Sequence, residues 1–328
     1  MLKDLTMSSE LELSVVIPCY RSSGTIEDVV RRLGNTLSEV YSSNNFEIVL
    51  VNDGSDDSTE ETIFRLSDSY ASVKAISLSN NFGQQAALMA GLSHTQGNLV
   101  AAMDDDGETP PEALPELISK LKDEQLDVVY ASYPVVNEKL WRRIGSQLNE
   151  AMVTWLMGKP KSVYISSYVV LRRFIVEEIL RYENPFPYIT GQIFRTTKRI
   201  GNVEIQKETR IAGSSGYTLK SLINLWLNGF TSFSVKPLRV ISFAGAIFCL
   251  IGFIGIVFEF LKVIITSAEP QVLWIVLAAF LLLGGCILLA LGLIGEYLGR
   301  AYLSINNIPQ YVIRSIRGFN TNAERTKE

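Results

Sequence analysis

The first 131 residues alternate between short apolar runs and longer segments in which apolar positions recur at helical spacing. The apolar runs predict strands at 13–18, 46–51, 73–78, 99–103 and 127–131. The segments between them predict helices within 25–40, from about 58, and over 84–93. Near-continuous apolar strands separated by helices are typical of a mostly parallel sheet that is covered on both faces. The predicted fold class is therefore α/β.

Two long apolar runs, 240–257 and 273–295, mark the C-terminal part of the chain and predict helices at about 240–262 and 273–295. As a helix, the second run extends about 34 Å, which is enough to cross a hydrocarbon core of about 30 Å. A pair of buried core helices is the alternative, and it fits runs of this length and purity less well. The short connection between the runs predicts an antiparallel, two-helix transmembrane hairpin.

Basic residues flank the predicted hairpin: Lys236 and Arg239 precede it, and Arg300, Arg314 and Arg317 follow it. The positive-inside rule then places both flanks on the cytoplasmic side of the cytoplasmic (inner) membrane. The predicted organisation is a cytoplasmic domain at 1–215, amphipathic interfacial helices at 216–238, two spans within 239–298 and a cytoplasmic tail at 299–328. A helix at 217–229 packed on the cytoplasmic domain fits the same amphipathic pattern equally well.

Composition narrows the function classes. The net charge of −4 and the pI near 5.4 argue against a nucleic-acid-binding surface, which is normally basic. The three cysteines lie far apart and form neither a disulfide framework nor a zinc pattern, which favours a reducing compartment. His94 is the single histidine, so a multi-histidine metal site is excluded, and it is predicted to end the third helix as a structural or surface residue.

Three consecutive carboxylates, Asp104, Asp105 and Asp106, follow the fourth predicted strand and precede Gly107 and Glu108. Crowded carboxylates repel one another, and a bound divalent cation relieves that repulsion. Hard oxygen ligands suit Mg²⁺ or Mn²⁺ that holds a phosphate. The alternative is an acidic turn that leads into the next helix, because 109–112 resembles a helix start.

Polar residues also follow the first two strands, where Pro18 and Tyr20 end one strand and Asp53 ends the next. The carboxyl ends of parallel strands meet at one edge of the sheet, and ligands bind there. The convergence predicts a site in which Asp53 accepts hydrogen bonds from a ribose or a base. Ser58 and Glu61 are predicted to form a capping box for the second helix. The fingerprints of dinucleotide-binding and P-loop proteins do not occur in the sequence.

These motifs resemble those of a known family. The stretches that carry the resemblance are Val15-Val-Ile-Pro-Cys-Tyr20, Val51-Asn-Asp-Gly-Ser55, Asn81-Phe-Gly83, the acidic triplet, Arg210-Ile-Ala-Gly213 and Phe230 to Arg239. They resemble family 2 glycosyltransferases of the GT-A fold, which has a Rossmann-like, mostly parallel sheet. Their order before a C-terminal hairpin resembles the polyprenyl-phosphate glycosyltransferases, the group of bactoprenol glucosyltransferase and dolichyl-phosphate mannose synthase. The resemblance extends over about 13–315.

The resemblance implies a role for each matching residue. Pro18, Tyr20 and Asp53 would hold the nucleotide, and Asp104 and Asp105 would face its ribose and diphosphate. The implied metal ligands are Asp104, Asp106 and Glu108. Arg210 would lie on a loop, with Gly213, Ser214 and Ser215, that closes over the donor and acceptor phosphates; a solvated surface arginine is the alternative for Arg210.

The chain departs from the family pattern at four places. Ser22 stands where the group often has an acid, and Glu108 stands where it usually has glutamine. Gly216 replaces a lysine of the phosphate loop. The stretch Ser166-Ser-Tyr-Val169 replaces a Gly-Asp-Phe-Arg-like segment, and so lacks both its acid and its arginine. The last departure implies a different sugar or acceptor, compensation by basic residues such as Arg172 or Arg173, or lost activity.

The resemblance implies an inverting enzyme that moves a sugar from a UDP- or GDP-linked donor to a polyprenyl phosphate, with Mg²⁺ or Mn²⁺ as cofactor. It also implies a homo-oligomer, a tetramer. One alternative is a processive polysaccharide synthase, which the absence of a Q-x-x-R-W segment and the small number of spans disfavour. The other is a non-catalytic membrane protein that keeps the fold for binding or assembly.

Overall fold

The structure of the protein is a computed structural model. It describes residues 11–42, 45–134, 163–185, 187–206, 272–305 and 308–319. The strands are β1 Leu13–Cys19, β2 Phe46–Asn52, β3 Val73–Leu78, β4 Leu99–Ala102, β5 Val128–Ser132, β6 Val169–Arg172, β7 Ile200–Glu204 and β8 Ile313–Arg317. The α-helices are α1 Ile26–Val40, α2 Thr59–Ser69, α3 Gln84–Leu92, α4 Leu114–Asp123, α5 Arg173–Leu180, α6 Ile189–Thr196 and α7 Val272–Ile305. A short 3₁₀ turn, Pro111–Ala113, precedes α4.

The described strands form one eight-stranded sheet with the order β7-β5-β6-β4-β1-β2-β3-β8. The five strands that the sequence predicts are confirmed as β1 to β5, and the sheet is mostly parallel, as predicted. Strand β6 runs antiparallel to β4 and β5, and β8 runs antiparallel to β3. Strands β6, β7 and β8 were not predicted, because their apolar positions are few or interrupted by charges.

Both faces of the sheet are covered, which explains the near-continuous apolar runs. One buried cluster joins Val15 and Ile17 of β1 to the apolar faces of α1, α2 and α4. A second cluster joins Val16 of β1 to α3, α5 and α6 on the opposite face. Successive residues of a strand point to opposite faces, so a strand with helices on both sides needs apolar residues at every position.

The start of α2 corrects one local prediction. Ser58 is the residue before the helix, but its side chain makes no capping hydrogen bond. The amide of Thr59 instead donates to Oδ1 of Asp57 at 3.1 Å. The predicted capping box of Ser58 and Glu61 is therefore wrong, because a neighbouring carboxylate occupies the position of the capping acceptor.

The chain divides into two compact units, residues 1–217 with 309–328 and residues 218–308. The sequence predicted 299–328 as a tail, whereas residues 313–317 of this segment form β8 and pair with β3. The second unit contains α7, a helix of 34 residues that includes the predicted span at 273–295. The span at 240–262 lies outside the described residues, as do the predicted interfacial helices at 216–238. Counting only the described residues, no helix combines enough length and apolar sequence to cross a membrane.

Candidate active site

Those predicted site residues that the structure describes lie at the topological switch point of the sheet. From β1 the chain builds outward through β2 and β3, then returns to place β4 on the other side of β1. In open α/β sheets, ligands bind beyond the carboxyl ends of the strands at this point. The residues that follow β1, β2 and β4 are the ones that the sequence singled out, and the structure brings these three loops to one edge.

Pro18 is buried near the end of β1, opposite Val51 of β2. The backbone amide of Met103 donates to the carbonyl of Val16, so the backbone polar groups of Val16 point toward β4. Pro18 is two residues further along the strand, so its backbone points to the same side. Strand β4 has already ended at Ala102 there, so the missing amide of proline costs no ladder hydrogen bond. A proline is therefore tolerated at the end of this central strand.

Asp53 is almost fully buried, with an exposed fraction of 3%. Its Oδ1 accepts from the amide of Phe82 at 2.8 Å, and its Oδ2 accepts from the amide of Gly83 at 2.9 Å. Burial raises the pKa of this carboxyl group, and the two amides oppose that increase by stabilising the charged form. The two amides fix the carboxylate in one orientation, as recognition of a sugar hydroxyl or a base requires.

Gly54 lets the loop after β2 approach the loop after β3. Its φ is +59°, and an added Cβ would lie 2.3 Å from the carbonyl carbon of Asn80. Both features exclude any side chain without rearrangement. The Asp-Gly pair of the motif is thus explained: the aspartate binds the neighbouring loop, and the glycine allows that loop to lie close enough.

We expect Gly54→Ala to destabilise the protein by more than about 2 kcal/mol, because the new methyl group is strained by its φ and collides with the Asn80 backbone. Thermal unfolding of the purified variant measures this change. Gly24→Ala is the matched control, since an added Cβ at Gly24 meets no atom within 4 Å and its φ is not in the left-handed region. Equal unfolding temperatures for the two variants would contradict the close-approach argument.

Asp105 contacts the loop after β1. Its Oδ2 accepts from the amide of Tyr20 at 3.2 Å and from the hydroxyl of Ser22. Burial raises the pKa of this carboxyl group to about 6, and the hydrogen bonds from Ser22 and Tyr20 oppose that increase. The predicted role of facing ribose and diphosphate is untested, but the observed contacts show that this carboxylate joins β4 to the β1 loop.

The loops after β1 and β2 are joined by contacts that the sequence did not reveal. Arg21, whose φ is +55°, binds Asp56 through Nε and a terminal nitrogen, both at 2.7 Å. The Arg21 amide donates to Oγ of Ser55 at 3.1 Å. The guanidinium carbon lies 5.4 Å from the ring centroid of Tyr20, which is 46% exposed. These contacts leave the aromatic ring of Tyr20 at the surface of the site, where a base can stack on it.

Asp104 contacts the stretch 166–169, in which the chain departs from the family pattern. Its Oδ1 accepts from Nε2 of Gln84 at 3.0 Å, and its Oδ2 accepts from the hydroxyl of Ser167. The neighbouring Ser166 hydroxyl bonds the carbonyls of Ala131 and Tyr168 and is structural. In this chain, therefore, a serine hydroxyl from the stretch 166–169 supports the acidic motif. Neither Gln84 nor Ser167 was predicted to contact it.

Asp106 and Glu108 form a turn at Gly107, whose φ is +73°. Oδ1 of Asp106 accepts from the Glu108 amide at 3.0 Å. Within the described residues, no group of three or more histidine, cysteine or acidic side chains is arranged to hold a metal ion. The predicted set of Asp104, Asp106 and Glu108 is thus not preassembled. Mg²⁺ commonly takes one or two carboxylates and completes its shell with water and substrate phosphates, so the donor chemistry still fits a divalent cation.

Tyr133 is a further residue near the acidic motif that sequence reasoning missed. Burial raises the pKa of its phenol, and the charges of Asp104 and Asp106 raise it further. Its ring packs edge-to-face on the ring of Tyr164, with 6.2 Å between centroids. The only sequence signal was its position just after the fifth strand, at the same edge of the sheet.

The phosphate-loop residues Arg210, Gly213, Ser214 and Ser215 lie outside the described residues, so their assignments stay predictions. His94 is described: its Nδ1 lies 2.9 Å from the carbonyl of Ala90 and its ring packs on Phe319. It follows the third helix, as predicted, and these contacts favour the structural alternative over the surface one.

Known proteins are similar to this chain in sequence and in fold. The family model described as glycosyl transferase family 2 matches residues 14–180. The chain is 31% identical to the undecaprenyl-phosphate 4-deoxy-4-formamido-L-arabinose transferase of Salmonella choleraesuis (strain SC-B67), over 93% of each chain. It is 30% identical to the uncharacterized glycosyltransferase YkcC of Bacillus subtilis (strain 168), over 95% of this chain and 96% of that protein.

A solved structure of glucosyl-3-phosphoglycerate synthase from Mycobacterium tuberculosis, in complex with Mn²⁺ and uridine-diphosphate-glucose, shows the same fold. Its TM-score is 0.51 at 18% identity, over 67% of this chain and 77% of that chain. The α/β unit therefore has the GT-A fold. The chain belongs to glycosyl transferase family 2.

Proposed function

We propose that the protein transfers a sugar from a nucleotide-sugar donor to the phosphate of a polyprenol at the cytoplasmic membrane, for the synthesis of cell-envelope glycan or glycolipid. The observation that carries the proposal is the position of Asp53, Asp105 and Asp106 just after β2 and β4, the two strands that flank β1 at the switch point of a GT-A sheet. Relatives named as undecaprenyl-phosphate transferases, which match nearly the whole chain, support the choice of acceptor.

The nucleotide subsite is the best defined part of the proposal. The carboxylate of Asp53 is held by two amides, so its remaining acceptor capacity is available in a fixed orientation. Tyr20 offers an exposed ring on the loop after β1, which Asp105 and Asp56 hold in place. A carboxylate and an aromatic face are suitable partners for a ribose and a base, respectively.

A divalent cation fits the acidic motif, with Asp106 and Asp104 as the residues that would hold it. When bound, Mg²⁺ or Mn²⁺ supplies positive charge for the leaving diphosphate. The chain itself supplies the turn that presents the Asp106 carboxylate and the hydrogen bonds from Gln84 and Ser167 that orient Asp104.

The acceptor needs little help from a general base. A phosphate monoester has a second pKa of about 6 and is already largely ionised at neutral pH. Direct attack of its oxygen on the anomeric carbon, in line with the departing nucleoside diphosphate, inverts the configuration. The site residues therefore act by orienting the donor and by balancing charge.

Membrane anchoring is part of the proposal, and its support comes from the sequence. The run at 273–295 contains no ionisable acid or base and lies within the continuous helix α7. Large apolar side chains are exposed along this helix, at positions that include Phe280, Ile287 and Leu298. A hairpin in the membrane would keep the site within reach of a headgroup-level phosphate. The homo-oligomer implied by the resemblance stays a prediction.

We expect the full-length protein, purified in detergent with Mg²⁺ or Mn²⁺, to release nucleoside diphosphate from one donor only when undecaprenyl phosphate is present. A panel of UDP-, GDP- and dTDP-sugars, each tested with and without lipid, identifies the donor. Lipid-independent release would argue for a different acceptor. Nucleotide binding without release from any donor would favour the non-catalytic alternative.

A further inference from the structure

We propose that Arg314, in the C-terminal strand β8, is a positioning residue for the nucleotide subsite around Asp53. It acts through the β3–α3 loop, residues 79–83, and the identity of the ligand rests on the proposed function. The path from Arg314 to Asp53 consists of hydrogen bonds and of the backbone of this loop, all within the described residues.

The segment 308–319, called here the C-terminal strap, is held along the edge of the sheet by contacts at several points. Strand β8 pairs with β3, and Nε2 of Gln310 donates to the carbonyls of Tyr182 and Asn184 at 2.6 and 2.9 Å. At its far end, Arg317 binds Asp68 at 3.0 Å. The strap covers an edge that would otherwise expose unpaired backbone groups, and it is fixed independently of Arg314.

The strap has an irregularity at Arg314. Ser77 pairs with Ser315, whereas Leu78 pairs with Ile313, so Arg314 is the extra residue of a β-bulge. Bulges redirect a side chain and are common beside active sites. Here a terminal nitrogen of Arg314 donates to the carbonyl of Ser79 at 3.0 Å. The amide of Ser79 donates to the carbonyl of Val312 at 2.8 Å, so the strap binds both backbone polar groups of Ser79.

The β3–α3 loop continues directly from Ser79 to the site. The backbone of Asn80 lies against Gly54, and the amides of Phe82 and Gly83 hold the two oxygens of Asp53. The orientation of the Asp53 carboxylate therefore depends on where this loop lies. Small displacements of a supporting loop weaken a polar site strongly, because several hydrogen bonds lengthen together. Arg314 fixes the end of the loop that is attached to β3.

The chain offers a matched comparison, since Arg314 and Arg317 are exposed arginines of the same strand. Arg317 contacts Asp68 and the ring of Phe64, away from the β3–α3 loop. We expect Arg314→Ala to raise the Kd of the full-length protein for the nucleoside diphosphate of its donor by about three- to tenfold. Arg317→Ala should change it less than about twofold. Arg314→Lys should retain most of the affinity, because an ammonium group can also donate to the Ser79 carbonyl.

Isothermal titration with UDP, GDP and dTDP measures these constants, and hydrogen exchange of the peptide that spans 79–83 measures the loop without ligand. The expected result is faster exchange of this peptide in Arg314→Ala alone. Equal effects of the Arg314 and Arg317 variants on affinity and exchange would overturn the proposal, because they would indicate general loosening of the strap. If the wild-type protein binds none of the nucleotides, the proposed function fails. The positioning role is tested separately, because unchanged hydrogen exchange of residues 79–83 in Arg314→Ala would overturn it.

Discussion

Asp106→Asn is expected to lower lipid-dependent sugar transfer by about a thousandfold while leaving the folded protein unchanged. The asparagine keeps the oxygen that accepts from the Glu108 amide, so the turn at Gly107 is retained. It removes the negative charge that would hold a divalent cation beside the diphosphate. Loss of such charge stabilisation in a transition state costs several kcal/mol, which corresponds to this factor.

The measurement combines turnover with Mn²⁺-dependent binding of the donor's nucleoside diphosphate, and both should be lost together. Asp123→Asn is a suitable control, because Asp123 is an exposed residue at the end of α4 whose carboxylate accepts only a hydroxyl hydrogen bond from Ser119 among the described contacts. Retention of wild-type turnover in Asp106→Asn, with an unchanged dependence on Mn²⁺, would show that Asp106 is not a metal ligand.

The sequence predicts the central fold because strands β1 to β5 are apolar at almost every position. Such runs follow directly from a sheet with helices on both faces. Strands β7 and β8 contain polar residues among their apolar ones, as in Ile313-Arg-Ser-Ile-Arg317. They form strands because they pair with a neighbouring strand of the sheet. Local pattern therefore identifies β1 to β5 but not the edge strands β7 and β8, which are defined by tertiary contacts. It also misses the interior strand β6, which is only four residues long.

The same limit applies to the site. The positions of Asp53 and the acidic triplet at strand ends were predictable, because parallel strands bring their carboxyl ends together. Their partners were not, since Asp105 with Ser22 and Asp104 with Ser167 are joined by hydrogen bonds across 83 and 63 residues. Arg314 illustrates the difference best: in the sequence it is one positive charge after an apolar run, whereas in the fold it binds the loop that holds Asp53.

A buried ion pair lies far from the site, near the amino-terminal ends of the central strands. Glu47 of β2 has an exposed fraction of 1% and forms an ion pair with Lys74 of β3. Its Oε1 also accepts from the hydroxyl of Ser14 at 2.5 Å and from the amide of Gln96 at 2.7 Å. The carboxylate thus satisfies donors from three segments of the chain.

Glu47→Ala should therefore lower the free energy of unfolding by about 3–5 kcal/mol, because it leaves the Lys74 ammonium and two further donors without their acceptor. For a domain of this size, the expected fall in the midpoint of thermal unfolding is roughly 6 to 20 °C.

Glu124→Ala is the matched control: Glu124 pairs with Lys120 on the surface of the protein, and its loss should cost less than about 0.5 kcal/mol. The double variant Glu47→Gln with Lys74→Met should recover part of the loss, since it removes both charges. A midpoint for Glu47→Ala no lower than that of Glu124→Ala would mean that water replaces the carboxylate and that the buried network contributes little to stability.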